Sequence, residues 1–236
     1  MININRHSKR FLKLDANLIG NDYVCGDIHG CFFELSVELN KLNFDESKDR
    51  LFCVGDLVDR GPESHLAVEW LKKPWFFSCY GNHEDMVLTQ YETPTPEVTR
   101  WHHRNGGAWF VTLTDSERDE VAAALDDLPI IIQVGDVGIL HAEPPKYLST
   151  WQDIIDQKDS EHCRETLIWG RSRVLIPFDI NNKANQIAGI SKIYVGHTVT
   201  LKPITKGNIR WIETGVWMSH WSDDEEDGYL TIEKIN

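Results

Sequence analysis

Three short glycine-rich strings, each preceded by a hydrophobic run, constrain the fold of this chain more than any other feature. Residues 26–30 read GDIHG, residues 55–61 read GDLVDRG and residues 81–84 read GNHE. Counted from Asp27 to Asp56 and from Asp56 to Asn82, the strings lie 29 and 26 positions apart. Each interval has room for one strand and one crossover helix. The pattern therefore predicts an α/β protein in which polar side chains collect at the ends of successive strands.

Hydrophobic periodicity predicts the layout around these strings. Strands are predicted at 23–26, 51–55 and 75–80, with helices after residue 32, after Pro62 and over 83–91. This order favours a parallel sheet with right-handed crossovers. Later in the chain a capping box is predicted at Thr114 and Glu117, a hairpin at 129–134 and 137–140, and a helix at 160–169. Short strands dominate after residue 190, and we expect one domain over 1–236.

Six side chains at the ends of predicted strands have the chemistry of metal ligands. They are Asp27, His29, Asp56, Asn82, His141 and His197. Taken singly, a Gly-Asp pair is usually a turn, and a single histidine is usually a core or surface residue. A pair of divalent ions needs a bridging carboxylate together with imidazole, carboxylate or amide ligands, and this set supplies them all. The joint occurrence of the six in this order predicts a two-metal site.

Charge and cysteine content narrow the class of protein. The net charge of −13 disfavours nucleic acid as a partner, because nucleic-acid binding depends on neutralising phosphates. No apolar stretch is long enough to span a bilayer, and the first six residues contain no apolar signal core. Cys25, Cys53 and Cys79 lie in predicted strands, and none of the five cysteines forms a C-x-x-C pair. We therefore expect buried, reduced thiols in a cytoplasmic protein that has no membrane partner.

An acidic run occupies residues 223–227. It is predicted to be a solvated turn between Trp221 and a strand at 229–232, because charge runs are usually solvated. A role in selecting basic substrates is the alternative interpretation.

The order and the residues of the three strings resemble the phosphoprotein phosphatase family of binuclear metallophosphoesterases. Within it, the chain is most similar to the small bacterial and phage serine/threonine protein phosphatases. The resemblance runs from Tyr23 to Thr214 and includes PWF at 74–76, NGG at 105–107, WGR at 169–171 and ETG at 213–215. It implies a four-layer αββα sandwich, in which helices flank two mixed sheets. The residue pattern alone predicts only a mixed α/β protein.

The resemblance also implies how the metal ligands are divided. Asp27 and His29 would bind a first ion, Asp56 would bridge both, and Asn82, His141 and His197 would complete the second. A water between the ions would lose a proton near neutral pH, and the hydroxide would attack phosphorus in line without a phosphoenzyme. Oxygen and nitrogen ligands suit manganese, iron, zinc, cobalt or nickel, and the resemblance favours two Mn²⁺ ions.

Expulsion of a serine or threonine alkoxide needs a proton, and the resemblance implies that His83 supplies it. Asp59 would orient the imidazole and stabilise its protonated form. Arg60 and Arg171 would bind the non-bridging phosphate oxygens through paired hydrogen bonds. Two of these assignments have alternatives. Asp59 and Arg60 also match a structural salt bridge at a turn, and Arg173 lies only two residues beyond Arg171.

Other polar and aromatic residues near the motifs are expected to be structural. Glu84 is expected to support the metal ligands or the start of a helix. Histidines outside the motifs, two of them in a helical insert after residue 93, are expected at the surface. They are His7, His65, His102, His103, His162 and His220. Three tryptophans either line a substrate cleft or pack in the core, namely Trp101, Trp109 and Trp151.

The resulting hypothesis is a metal-dependent serine/threonine protein phosphatase whose partner is a phosphorylated protein. The nearest alternative is a dinucleoside polyphosphate hydrolase such as a diadenosine tetraphosphate hydrolase. That group typically lacks the aspartate that pairs with the acid histidine, whereas Asp59 is present here. A broad phosphatase for small phosphoesters also fits, because the connecting loops determine specificity. A catalytically silent phosphate-binding module is the alternative from another class, although no motif residue is missing.

Overall fold

The computed structural model, which describes residues 2, 4–5, 9–176, 185–220 and 228–235, is a mixed α/β structure with two sheets. The strands are β1 (Phe11–Leu14), β2 (Asp22–Cys25), β3 (Arg50–Cys53), β4 (Phe76–Ser78), β5 (Ile131–Val134), β6 (Val137–Ile139), β7 (Lys192–Val195), β8 (Ile204–Lys206), β9 (Ile209–Trp211) and β10 (Ile232–Lys234). The helices are α1 (Phe32–Lys41), α2 (Ala67–Leu71), α3 (Asn82–Glu92), α4 (Pro96–Arg104), α5 (Asp115–Asp126), α6 (Trp151–Gln157) and α7 (Glu161–Trp169). Short 3₁₀ segments cover Ser64–Leu66, Gly107–Thr112 and Val216–His220.

The first sheet contains the strands that precede the three glycine-rich strings. Its order is β10-β2-β3-β4, and β2, β3 and β4 run parallel. Helix α1 connects β2 to β3, and α2 lies between β3 and β4. The predicted alternation of strands and helices and the parallel pairing are therefore confirmed. In this arrangement the three strings leave the sheet at the same edge.

The second sheet has the order β1-β5-β6-β7-β9-β8. Strands β5 and β6 form the predicted antiparallel hairpin, which turns at Gly135 with a φ of 56°. Strands β6, β7 and β9 run parallel, so the carboxyl ends of β6 and β7 lie at one edge. His141 and His197 follow these two ends. The second sheet thus carries the two later candidate ligands in the same way that the first sheet carries the earlier ones.

A buried cluster between the sheets joins them. Val24 and Phe52 of the first sheet pack with Ile132 and Tyr194 of the second. Cys25, the neighbour of Val24, instead belongs to the larger cluster that contains the buried side chains of the helices. Successive strand residues face opposite sides of a sheet, so the helices cover the outer faces. The four-layer αββα sandwich implied by the resemblance is confirmed.

Local side chains fix the position at which α5 begins. Thr114 Oγ1 accepts a hydrogen bond from the Glu117 backbone N–H at 3.3 Å, and a Glu117 carboxylate oxygen accepts one from the Thr114 N–H at 2.7 Å. This is the predicted capping box, which satisfies two otherwise unpaired backbone donors. The helix predicted at 160–169 is likewise confirmed as α7, which begins one residue later.

Three local features differ from the predicted layout. The helix expected after Pro62 begins as the 3₁₀ segment and becomes α-helical only at Ala67. The strand expected at 229–232 is displaced to β10, because Tyr229 pairs with residues 214–215 whereas Ile232 pairs with β2. Strand β1 was not predicted. It is an edge strand of mostly half-buried residues, so it lacks the apolar run of a central strand.

Two sequence predictions fall on parts of the chain that the structure does not describe. The acidic run at 223–227, with Trp221 before it, and His7 lie outside the described residues. Within the described part, no helix is long and apolar enough to cross a membrane.

Candidate metal centre

The six predicted ligands meet where the strands of both sheets end. Asp27 and His29 follow β2, Asp56 follows β3, and Asn82 begins α3 after β4. All six side chains are buried, His197 being the most exposed at 6%. Backbone hydrogen bonds tie the loops together, since His29 N–H donates to Asp56 O at 2.8 Å and Gly196 N–H donates to His141 O at 2.7 Å. Asp27 and His197, which are 170 positions apart in the sequence, thus meet in one buried polar cluster.

Asp56 lies at the centre of this cluster. Its Oδ2 is 3.6 Å from His29 Nε2, and its Oδ1 is 3.3 Å from His141 Nε2. Two groups of potential ligand atoms, each spanning less than 4.8 Å, occur here, one with His29 and His83 and the other with His141 and His197. Asp56 belongs to both groups. This is the position expected of a carboxylate that bridges two ions.

The other oxygen ligands lie on either side of Asp56. Asn82 Oδ1 is 2.8 Å from His141 Nε2, which places the amide beside the second group. Asp27 Oδ2 is 3.9 Å from His29 Nε2, which places this carboxylate beside the first. Asp27 also accepts a hydrogen bond from the His197 backbone N–H at 3.0 Å. Asp27 thus lies on the His29 side of Asp56, and Asn82 lies on the His141 side.

Hydrogen bonds to backbone carbonyls fix two of the imidazoles. His29 Nδ1 lies 3.0 Å from Val58 O, and His141 Nδ1 lies 3.1 Å from Val54 O. A carbonyl only accepts, so each Nδ1 carries the proton and each Nε2 keeps a free lone pair. Both Nε2 atoms face Asp56. Such carbonyl contacts are the usual way in which proteins orient histidine ligands.

The electrostatics of the cluster favour a divalent cation. Burial and the nearby carboxylates of Glu213 and Asp56 raise the pKa of Asp27. Burial lowers the pKa of His29, and burial with the neighbouring imidazole lowers the pKa of His197 to about 2. The imidazoles of His29 and His197 are therefore neutral and able to ligate, and a cation would relieve the repulsion between the carboxylates. The donor set, oxygen and nitrogen without thiolate, fits the divalent ions expected from the sequence.

Backbone strain is concentrated at the candidate site. Five predicted site residues have a left-handed backbone, with φ between 47° and 71°. They are His29, Asp56, Asp59, Arg60 and His197. Asn43 is the one further non-glycine residue of the described chain in that region. Each such conformation costs about 1–3 kcal/mol and persists where the surrounding contacts enforce it, typically at functional sites.

Two buried glutamates hold the ligand loops. Glu84, which was expected to support the ligands, accepts hydrogen bonds from the backbone N–H groups of Asp56 and Gly81 at 2.9 and 2.8 Å. Glu213 was not assigned a role from the sequence, although the ETG string contains it. It accepts from the N–H groups of Asp27 and Gly215 at 3.0 and 2.9 Å. Burial raises the pKa of Glu84 to about 7 and that of Glu213 to about 8.

Gly196 allows the closest approach to a candidate ligand. A Cβ at this position would lie 2.0 Å from Asp27 Oδ1, which is far inside van der Waals contact. We expect Gly196→Ala to displace the Asp27 carboxylate and to lower metal content and phosphoester hydrolysis by about tenfold or more. Elemental analysis and p-nitrophenyl phosphate turnover will measure both. A normal metal content in Gly196→Ala would contradict the prediction.

His83 lies beside the metal ligands and contacts both predicted partners. Its Nδ1 is 2.7 Å from Asp59 Oδ2, and its Nε2 is 3.2 Å from Arg60 Nη2. Its ring meets the His29 ring edge-on at 4.6 Å between centroids. The Arg60 guanidinium also lies over the Trp217 ring at 4.3 Å. Asp59 therefore contacts an imidazole of the site rather than forming a salt bridge with Arg60 at a turn.

The two candidate arginines after residue 170 have different surroundings. Arg171 is exposed, and its Nε donates to His197 Nε2 at 3.0 Å, so its guanidinium lies at the edge of the ligand cluster. Arg173 is buried and donates to the carbonyls of Pro144 and Pro145 at 2.6 and 2.8 Å. Arg173 thus serves the local fold, which leaves Arg171 as the candidate for substrate binding.

One histidine was wrongly predicted to be at the surface. His102 is fully buried and hydrogen-bonds Asp59 and Gln90, whereas His65, His103, His162 and His220 are exposed as predicted. The prediction failed because the hydrogen-bond partners of His102 are distant in sequence: Asp59 follows β3 and Gln90 lies on α3. The residues around His102 therefore give no sign of its burial.

The three tryptophans differ in their surroundings. Trp109 Nε1 donates to Asp59 Oδ1 at 2.7 Å, so this side chain belongs to the site. Trp151 packs in the core, and Trp101 lies 6.4 Å from Trp169 at the surface, measured between ring centroids.

Comparison with known proteins links this geometry to a family. Residues 23–200 match the sequence profile of the calcineurin-like phosphoesterases. The chain is 31% identical to serine/threonine-protein phosphatase 1 of Salmonella typhimurium, over 98% of this chain and 99% of that protein. It is 33% identical to a symmetrical bis(5'-nucleosyl)-tetraphosphatase of Methylococcus capsulatus, over 52% of this chain and 43% of that protein. The crystal structure of a putative diadenosine tetraphosphatase has a similar fold, with a TM-score of 0.66, 19% identity and coverage of 97% and 94%.

Proposed function

The chain belongs to the calcineurin-like phosphoesterase family, and on this premise we propose that it is a serine/threonine phosphoprotein phosphatase. The observation that carries the proposal is the pair formed by His83 and Asp59, whose side chains lie 2.7 Å apart next to the ligand cluster. A serine or threonine alkoxide is a poor leaving group and needs a proton from such a pair. The coverage of the phosphatase relative over almost the whole of both chains also supports this substrate class.

In the proposal, the residues around Asp56 hold two divalent ions, with manganese as the activating metal. The ligands are Asp27, His29, Asp56, Asn82, His141 and His197. Bound there, the ions supply a nucleophile from water near neutral pH and neutralise charge on the phosphate. Glu84 and Glu213 keep the loops of Asp56 and Asp27 in place through the backbone hydrogen bonds described above.

The remaining residues act on the phosphate ester itself. Arg60 and Arg171 bind the non-bridging oxygens, which draws the Arg60 guanidinium from His83 Nε2 onto the substrate. His83 then carries a proton on Nε2. As the new bond to phosphorus forms, the phosphorus–oxygen bond to serine or threonine breaks, and that oxygen takes the proton. Asp59 accepts the hydrogen bond of His83 Nδ1–H and stabilises the imidazolium before the transfer.

The runner-up substrate class is a dinucleoside polyphosphate. The tetraphosphatase relative has a sequence identity of 33%, close to the 31% of the phosphatase relative. Its match, however, covers only 52% of this chain and 43% of that protein. The structural neighbour at 19% identity supports the fold alone. The His83–Asp59 pair favours a phosphomonoester with an alkoxide leaving group.

We also propose a cytoplasmic location. It is consistent with the five cysteines, which are buried and free.

We expect Mn²⁺ to restore hydrolysis of a phosphoserine peptide by metal-stripped protein. The kcat/KM for the peptide should exceed that for diadenosine tetraphosphate by about tenfold or more, because specificity is a ratio of these constants. Phosphate release and nucleotide chromatography will measure the two reactions side by side. A large preference for the dinucleotide would replace the proposed substrate, and metal binding without turnover of either would favour a silent phosphate-binding module.

A further inference from the structure

A helical insert, residues 93–113, contacts the corner of the chain that carries Asp59 and Arg60. His102 on α4 places its Nε2 2.9 Å from Asp59 Oδ2 and 3.0 Å from Asp59 Oδ1. Trp109, in the 3₁₀ segment after α4, donates to Asp59 Oδ1 at 2.7 Å. The Gly106 carbonyl accepts a hydrogen bond from the Arg60 N–H at 3.4 Å. Three parts of one insert therefore meet the two strained residues of this corner.

The ring of His102 is held on its other sides as well. Its Nδ1 lies 2.6 Å from Gln90 Oε1 on α3, so both ring nitrogens have buried partners. Gly107 lies against the ring, and a Cβ there would be only 2.2 Å from it. His102 and Asp59 are both fully buried. The imidazole therefore has one position, in which Nε2 is directed at the carboxylate.

Asp59 is accordingly a carboxylate with three donors. His83 Nδ1, His102 Nε2 and Trp109 Nε1 all lie within 3.0 Å of its oxygens. Burial alone would raise the pKa of Asp59, but the hydrogen bonds from His102 and His83 outweigh burial and lower this pKa to about 2. A carboxylate held by donors on both oxygens cannot rotate about its Cβ–Cγ bond without breaking one of them.

We propose that His102 is a positioning residue for the acid histidine, acting through Asp59. The inference rests on the proposed function, since it assumes that His83 donates the proton to the leaving group. His102 and Trp109 fix the plane of the Asp59 carboxylate, and Asp59 in turn fixes the His83 ring so that Nε2 faces the substrate. The insert also restrains the two adjacent left-handed residues, Asp59 and Arg60, each with a φ of 71°.

The test compares leaving groups in His102 variants of the full-length, Mn²⁺-loaded protein. His102→Leu removes the hydrogen bonds to Asp59 and to Gln90. We expect kcat on a phosphoserine peptide to fall by about 10- to 100-fold, the usual effect of losing an orienting partner. Turnover of p-nitrophenyl phosphate should fall much less, because its leaving group needs little protonation. KM and metal content should not change, since His102 touches neither substrate nor ligands.

Two amide variants separate positioning from packing. The amide nitrogen of His102→Gln reaches the position of Nε2, whereas the shorter His102→Asn reaches only that of Nδ1. We expect Gln to restore most of the peptide activity and Asn to restore little. This comparison also serves if His102→Leu does not fold, because both amides are polar and similar in volume.

The matched control is His103→Leu, the exposed neighbour on the same helix, which should behave as the wild type. Equal losses on both substrates in His102→Leu, or equal activity of the Gln and Asn variants, would overturn the inference. Failure of the proposed function gives a different result, since the wild-type protein would then not hydrolyse the phosphoserine peptide.

Discussion

Replacing Asp56 with asparagine will remove both metal ions at once and lower phosphate release from a phosphoserine peptide by about a thousandfold or more. Asp56 is the residue that the two groups of potential ligand atoms share, so its carboxylate has neighbours on both sides. Asparagine preserves the shape and one oxygen, which can still accept the backbone N–H of His83, now 2.9 Å from Asp56 Oδ1. It removes the charge and replaces the second oxygen with an amide nitrogen that does not ligate. Losing an electrostatic contribution at the reacting centre has effects of this size.

Metal analysis separates the bridging role of Asp56 from a general effect on folding. Elemental analysis of dialysed protein should find two ions per chain in the wild type and close to none in Asp56→Asn. The control is Asp22→Asn, which changes another buried aspartate, one that pairs with Arg50 at 2.7 Å at the start of β2. That variant should lose stability but keep both ions. Two ions at full occupancy and a normal rate in Asp56→Asn would remove the bridging assignment.

The candidate ligands could be predicted from sequence because their chemistry is local. Each follows within a few residues of a strand whose apolar run is visible, and the topology of parallel strands brings such positions together without further information. Asp27 and Asp56 are examples, since both follow central strands of the first sheet. The glycines of the same strings belong to this local signal, because Gly81 would place a Cβ 2.3 Å from Asp56 Oδ1.

Two supporting residues, Glu213 and His102, could not be predicted, because their partners are distant in sequence. Glu213 holds the backbone of Asp27 across 186 positions, and His102 reaches Asp59 across 43. His102 lies on an insert helix whose pattern gives no sign that one polar residue is buried. A single buried polar side chain leaves no periodic signal, so only the tertiary structure distinguishes His102 from the exposed His103. The same reasoning explains why β1 was not predicted. Its sequence lacks the apolar run of a central strand, and the strand is defined by its pairing with β5.

The His83→Asn variant will separate proton donation from metal binding, because His83 is close enough to His29 and Asp56 to count among the potential ligands. Its Nε2 lies 3.9 Å from Asp56 Oδ2, whereas its Nδ1 lies 2.7 Å from Asp59. An acid role requires that the ring turn its Nε2 proton to the leaving group while Asp59 holds Nδ1. A ligand role requires a lone pair on Nε2 directed at an ion. The two roles exclude each other at this one atom.

If His83 is the acid, asparagine will leave both ions in place and lower turnover of the phosphoserine peptide by about 10²- to 10⁴-fold, the usual contribution of general acid catalysis. The amide of asparagine can still donate to Asp59 from the position of Nδ1, so the surroundings of the site are preserved. The loss on p-nitrophenyl phosphate should be much smaller, because p-nitrophenolate leaves without a proton. Elemental analysis and parallel kinetics on the two substrates will measure these quantities. Loss of an ion, or equal losses on both substrates, would assign His83 to the metal centre and leave the leaving group without its proton donor.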